Sequence, residues 1–541
     1  MKNTRRDFLK KTSLAGAGIV GTSVISCKRI AENDKPSSPA TSPAESIFSF
    51  TPTGKTKVFT IFTSAGCGCT GSGGAPKTAT THEQVLSALQ LECNGVDFIR
   101  WEGNLRTANE EMQKNKDSYD GILIIGMMNG DQGLAFTGLP TIVVYNLWEF
   151  ISGQPWYLFA TGKVPEGSIL TGGTDYKDVK ILNAQLDRRT LCAPAVRESM
   201  FKDLVYKIKM IQIVRELKDI RVLMIAAQEN IAEVNFRGDR NETFPEFHNL
   251  RYIQNLKELL GVEIVRREVK EFQDMYQIID IKEAEKIADN WIKGAQKVEV
   301  ARAEIVKNAR AYLALDALRE KFNCNAVSTH GVRYTASGQP GDRYNPNLGI
   351  ELGFKPRGIM AVCQNYPDLV LSEILAYKMT GRLSMMGDFI YDIDNSLEIV
   401  LHCGIPINPY GDDRRVPYNI RPHAQSPVRD KPEEPGASTG MTAEWPVGEP
   451  VTIWEIHSLN KTIRLHTGEI VDGHAIYTGG EDIYNVMCTA KIIAKCDIKK
   501  IRDQYMPNHY GIHTIATIGD LRQLLKDIAV LIGFKTDESD R

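Results

Sequence analysis

The chain has 541 residues, 65 basic against 67 acidic side chains, a formal charge of −2 and 42% hydrophobic residues. That length exceeds one compact domain and predicts several units with substantial cores. The balanced charge and ordinary composition argue against a basic nucleic-acid binder, a long disordered tail or a staple-dependent mini-protein. Eight of the ten histidines lie between His330 and His513, which directs the search for chemistry to that stretch.

Residues 1–27 join Arg5-Arg6-Asp7-Phe8-Leu9-Lys10 to a weakly apolar, Gly-rich run, a pattern that resembles a twin-arginine export signal. The run is too short and too rich in Gly and Ser to span a membrane. Val24-Ile25-Ser26-Cys27 resembles a lipoprotein cleavage box, which would make Cys27 the lipidated residue; the other reading is a cysteine within a discarded signal. Residues 28–50, rich in Pro and Ser, read as a tether. The expectation is folding before export, then a periplasmic or lipid-anchored location. The remaining nine cysteines are irregularly spaced with no Cys-x-x-Cys pair, which argues against a disulfide framework and leaves an isolated bridge open.

From residue 51 the pattern is α/β. Residues 57–64, 96–101, 121–126 and 141–145 read as strands, with a helix opened by Thr80-x-x-Glu83. The alternation restarts after a helix near 198–217, with strands at 221–227, 262–266 and 325–329 and a helix over 249–260 closed by Gly261. A long helix from Ala301 carries Ile305, Val306, Ala309, Leu313 and Ala317 on one stripe. This predicts two doubly wound, Rossmann-like domains at 51–180 and 181–357. Beyond 358 Pro and Gly become frequent, 451–456 is expected to pair with 462–466 through a polar turn, and the expectation is a β-rich C-terminal domain over 358–541. Its last helix presents Leu521, Leu524, Leu525, Ile528 and Ile532 on one face and stops at Gly533.

Glycine-rich phosphate loops fit poorly. Gly16-x-Gly-x-x-Gly21 lies in the signal, with no strand before it. Gly66-Cys-Gly-Cys-Thr-Gly71 follows a strand, but the helix that should start at its third glycine is displaced past Pro76. It reads as a flexible loop, with a nicotinamide site, or a redox or metal pair at Cys67 and Cys69, as alternatives.

The informative segments are Ala361-Val-Cys-Gln-Asn-Tyr-Pro-Asp368, a helix ending in Met379-Thr-Gly381, Met386-Gly-Asp388-Phe389, Leu401-His-Cys-Gly404 and Asn508-His-Tyr-Gly-Ile-His513. Together they resemble the L-fucose and L-arabinose isomerase family, in particular its L-fucose isomerase-like branch. The resemblance implies two α/β domains followed by a β-rich domain of the L-fucose isomerase type. It also implies a divalent cation, most often manganese, bound by a Glu, an Asp and a His, with the Glu and Asp handling protons. Counted without a gap from Thr380-Gly381, the Asp falls on Asp388, the Glu on Gln364 and the His on His513.

Interconverting an aldose and a ketose moves a proton between adjacent carbons through an enediolate. The site must therefore polarise two neighbouring oxygens and supply a base. Gln364 can offer a carbonyl oxygen to a metal but cannot take up a proton. Asp368, one turn further on, is the candidate replacement carboxylate, with Glu373, Asp392 and Asp394 nearby in sequence. His402 and His509 are candidate substrate contacts. The resemblance also places sugar contacts at His330-Gly-Val-Arg333. Plainer readings make Asp388 a turn cap, His513 a structural histidine and Gln364 a solvated amide. The stretch 409–445 is expected to be a long loop without structure, covering substrate or meeting a second subunit.

Three functions remain open on sequence. The first is an exported, metal-dependent isomerase-like enzyme acting on a small carbohydrate. The second is a non-catalytic carbohydrate-binding protein on the same scaffold, and the third a nicotinamide oxidoreductase. A homo-oligomer is expected from the resemblance, with no nucleic-acid partner and no membrane contact beyond the anchor.

Overall fold

A computed structural model gives the structure of the chain and describes residues 47–62, 82–102, 105–125, 137–146, 180–186, 194–225, 250–329, 346–363, 365–423, 438–458, 460–480, 482–505 and 513–541. The stretch 1–27 expected to be an export signal, with Cys27, the Gly66–Gly71 loop and four proposed site residues, His330, Arg333, Gln364 and His509, lie outside the described residues. Among the described residues no helix is long and apolar enough to cross a membrane.

The first sheet is wholly parallel. Its strands are β1 (Thr56–Phe62), β2 (Val96–Arg100), β3 (Gly121–Ile125), β4 (Thr141–Asn146) and β5 (Ile181–Leu186), in the order β2-β1-β3-β4-β5. This is a doubly wound order with its switch point between β1 and β3. The run Gly121-Ile-Leu-Ile-Ile125 shows why a parallel sheet forms. Ile122 and Ile124 join one apolar cluster with Phe59 and Met112, while Leu123 and Ile125 join another with Val58 and Leu89. Both faces are covered, so the strand is apolar throughout rather than alternating. Because β5 pairs with β4, this sheet reaches Leu186, beyond the boundary expected at 180.

The helix Pro194–Leu217 leads into the second parallel sheet. This comprises β6 (Arg221–Ile225), β7 (Glu263–Arg267), β9 (Ala326–Thr329) and β10 (Ala361–Val362), in the order β10-β9-β6-β7; the intervening β8 (Lys297–Val298) pairs elsewhere. The sheet takes in Val362, past the boundary expected at 357. The helix Arg302–Lys321 buries more than the single expected stripe. Ala311, Tyr312, Ala314, Leu315 and Leu318 are buried as well, whereas Leu313 and Ala317 are only half-buried. It packs against several elements at once, including β9 and the π-helical turn Gly349–Phe354.

The C-terminal part is built on β11 (Met385–Asp392), β12 (Leu397–His402), β13 (Tyr418–Pro422), β14 (Thr439–Ala443), β15 (Pro450–His457), β16 (Thr462–Ile470), β17 (Ala490–Lys495), β18 (His513–Ile518) and β19 (Lys535–Glu538). Seven of these form one sheet in the order β15-β18-β11-β12-β17-β16-β19. An additional β15–β16 pairing, the hairpin expected from the sequence, closes six of them into a ring without free edges. The stretch 409–445 is not structureless: β13 and β14 pair within it, and β8 adds to β13 in parallel. Pro and charged residues around Tyr418-Asn-Ile-Arg-Pro422 obscured a short strand in which Tyr418 and Ile420 alone are buried.

Two helices cover the ring. Pro367–Thr380 packs on β15 and β18 and ends at Gly381, whose φ of 70° suits glycine and whose N–H donates to the Tyr377 carbonyl. Arg522–Ile532 buries Leu524, Leu525, Ile528 and Leu531, each contributing about 1.5–3 kcal/mol, and is stopped by Gly533 as its sequence implies.

Candidate functional site

The closed sheet brings Asp388 and His513 together. They occupy opposed positions in the antiparallel β11–β18 pair, and His513 Nε2 lies 3.1 Å from Asp388 Oδ1. Opposed residues share a face of a sheet, so the two side chains project to the same side. His513 is buried, whereas the Asp388 side chain keeps 32% of its surface exposed. The site thus has an opening on the carboxylate side.

Three aromatic or sulfur groups surround the pair. The Tyr366 ring lies 4.7 Å from the His513 ring, tilted by 43°. His402, at the end of β12, meets His513 edge-on at 6.0 Å. Its Nδ1 is 3.9 Å from Cys363 Sγ. Cys363 directly follows β10 of the second parallel sheet, and Asn365 donates to the carbonyl of Ile225 at the end of β6. The site therefore lies where the carboxyl ends of parallel strands meet the C-terminal ring, as ligand sites in open α/β sheets do. Gln364 stands between these two described neighbours in the chain.

Behind the site lies a buried charge cluster. The Lys355 ammonium donates to Glu351 Oε1 at 3.1 Å, Glu373 Oε1 at 2.9 Å and the Ser384 carbonyl at 2.8 Å, and all three ionisable side chains are buried. Burial, partly offset by Lys355, pushes the Glu373 carboxyl up to about 8. Burial raises the Glu351 carboxyl as well, against the opposing effect of Lys355, so the two carboxyls that share this ammonium are both shifted towards their protonated forms. Burial, then the charges of Cys488, Glu351 and Asp388, push the Cys363 thiol well above its ordinary value.

Of the other expected carboxylates, Asp368 is buried at the start of its helix, where Oδ2 accepts from the Ser458 backbone N–H at 3.2 Å. That bond ties the helix to the end of β15. Asp392 accepts from Tyr477 Oη and from Asn395 in the turn after β11. Tyr366, Cys363 and the partners of Glu373 in the cluster, Lys355 and Glu351, were missed by sequence reasoning. The one signal for the last was Glu351 and Lys355 at helical spacing within the apolar run Leu348-Gly-Ile-Glu-Leu-Gly-Phe354.

A second compact set of ligand types is Glu398, His466 and Cys496, all buried. His466 Nε2 bonds Glu398 Oε2 directly at 2.6 Å and Nδ1 lies 3.1 Å from Ser539 Oγ, so the imidazole is engaged on both sides. The register puts Glu398 and Asp388 on opposite faces of the ring. For Asp388 and His513 the donor set suits a small divalent cation. Two neighbouring ligands on an octahedral ion with bonds of about 2.1 Å stand about 3 Å apart. Compared with known proteins, the sequence matches no family model and no curated protein.

Proposed function

We propose that this chain is an exported, metal-dependent sugar isomerase-like enzyme that moves a proton between adjacent carbons of a small carbohydrate. The observation that carries the reading is the 3.1 Å approach of the Asp388 carboxylate and the His513 imidazole. Asp388 and His513 would hold the cation, proposed to be manganese, with the Gln364 carbonyl oxygen as a third ligand. A bound cation supplies Lewis-acid polarisation of the two substrate oxygens.

The chain's own groups divide the remaining work. Gln364 carries an amide and no base, so the proton at C2 falls to the Asp388 carboxylate. His402 and Tyr366, packed on His513, orient the sugar hydroxyls and fill the volume around the reacting carbons. The buried Lys355 cluster holds the floor of the site rigid. His330, Arg333 and His509 are proposed sugar contacts, and the active form a homo-oligomer. Export is supported by the arginine pair of the N-terminal stretch.

The test is manganese titration of the full chain folded in the presence of the metal, alongside a sugar-conversion screen. Manganese binding and conversion that are both lost in Asp388→Asn support the reading. Manganese binding that survives Asp388→Asn and His513→Ala overturns it. A second reading, sugar binding without turnover, is favoured by the amide at position 364; manganese-dependent sugar binding without conversion would select it.

A further inference from the structure

Cys403 directly follows His402 at the end of β12, and Cys488 stands two residues before β17, the strand that pairs with β12. The register His402↔Ala490 carries the two cysteines together, with their Sγ atoms 4.0 Å apart. Both are buried free thiols. His423 Nε2, just past β13, lies 2.8 Å from Cys403 Sγ. On the other side the Lys491 ammonium donates to the carbonyls of Val486, at 2.7 Å, and Cys488.

The Cys403 S–H faces two acceptors, Cys488 Sγ at 4.0 Å and, in the Nδ1–H tautomer of His423, Nε2 at 2.8 Å; the bond to Cys488, with the charge of Lys491, lowers the Cys488 thiol against the opposing effects of burial and of the Asp388 charge. Burial pushes His423 down to about 4, so its ring is neutral at pH 7 and can accept a proton. Cys93 and Cys324 contrast with this: burial pushes them up to about 12 and about 11.

We propose that Cys488 and Cys403 are a peroxide-reactive dithiol that closes to a disulfide, with Cys488 the attacking thiolate, Cys403 the resolving thiol and His423 the acceptor of the Cys403 proton. Hydrogen peroxide is the oxidant, small enough to reach a buried thiolate. The Cys488 thiolate, its proton already released to solvent, attacks one peroxide oxygen. The O–O bond breaks, the sulfur becomes a sulfenic acid, and the departing hydroxide takes up a proton to leave as water. Cys403 then gives its proton to His423 Nε2, and its sulfur displaces hydroxide from the Cys488 sulfenic acid. That hydroxide leaves as water with the proton from His423. In sum, two thiols and one peroxide give one disulfide and two waters. Closure shortens the 4.0 Å gap to about 2.05 Å and breaks the Cys403–His423 contact beside His402.

The test treats the folded full chain with hydrogen peroxide at pH 7, alkylates remaining thiols after denaturation and maps peptides by mass spectrometry. A Cys403–Cys488 linked peptide, reversed by dithiothreitol, is expected, with Cys93 and Cys324 alkylated as thiols. In Cys403→Ser, dimedone should trap a sulfenic acid at Cys488; in Cys488→Ser, none should form at Cys403 at the same dose. His423→Gln should slow disulfide closure on the order of 10²-fold. The wild-type map decides the matter even where a variant does not fold. Absence of the linked peptide, or a Cys488 no more reactive than Cys93, overturns the proposal.

Discussion

Asp388 Oδ1 and His513 Nε2 stand 3.1 Å apart because the β11–β18 register makes them opposed residues. The spacing is thus held by ladder hydrogen bonds rather than by a loop. Replacing Asp388 by Asn keeps the shape and removes the charge. The side chain is one-third exposed, so stability should change by less than about 1 kcal/mol. Manganese affinity should fall about 100-fold or more, read by titration of wild type and variant under the same buffer.

The Lys355 cluster makes stability depend on pH with a definite sign. Glu373 has its folded value raised to about 8 from an ordinary 4.5. Its protonated form is favoured by folding, so the contribution is fully present below about pH 4.5 and is lost as pH rises through 8. Glu373→Gln should flatten that slope while keeping an oxygen for Lys355. Lys355→Met leaves two buried carboxyl groups without their cation and should cost about 3–5 kcal/mol. Urea midpoints at pH 5, 7 and 8.5 check both variants.

The parallel halves were legible because a strand covered on both faces must be apolar throughout, as Gly121-Ile-Leu-Ile-Ile125 is. The β15–β16 hairpin was legible from two flanking runs and a polar turn. The pairing of Asp388 with His513 was readable only through resemblance, since register between distant strands leaves no local pattern. Tyr366 and Cys363 escaped notice because their contacts with His513 and His402 depend on how a sheet end and a helix start meet. The strands inside 409–445 were lost among prolines and charges, and the burial of Lys355 cannot be told from its spacing to Glu351.

Two buried histidines predict an acid limb. Burial pushes His423 and His457 each down to about 4 from an ordinary 6.5. Their neutral forms are favoured by folding, so stability is present above pH 6.5 and is lost as pH falls towards 4. Each contributes up to about 1.4 kcal/mol per pH unit within that window. Denaturant midpoints at pH 7 and 4.5 should differ in wild type, and His423→Gln should reduce the difference.

Gly387 precedes Asp388 and lies close against β12. A Cβ there would come 2.8 Å from the Leu401 carbonyl oxygen and 3.0 Å from Val400 Cγ1. Gly387→Ala should cost about 1–3 kcal/mol by forcing the strands apart. It should also weaken manganese binding, because it displaces Asp388. Gly479→Ala, where a Cβ meets nothing within 4 Å, is the control and should stay within about 0.5 kcal/mol. Thermal melts with and without manganese separate the two effects.

The most direct measurement is proton exchange at the carbon next to the carbonyl. The full chain, supplied with manganese in heavy water, is incubated with a panel of aldoses and ketoses and followed by NMR. Deuterium incorporation at the aldose C2 or the ketose C1 of at least one sugar, lost in Asp388→Asn, is the result predicted. Manganese bound at Asp388 and His513 with no exchange on any sugar, or exchange that survives Asp388→Asn, would contradict it.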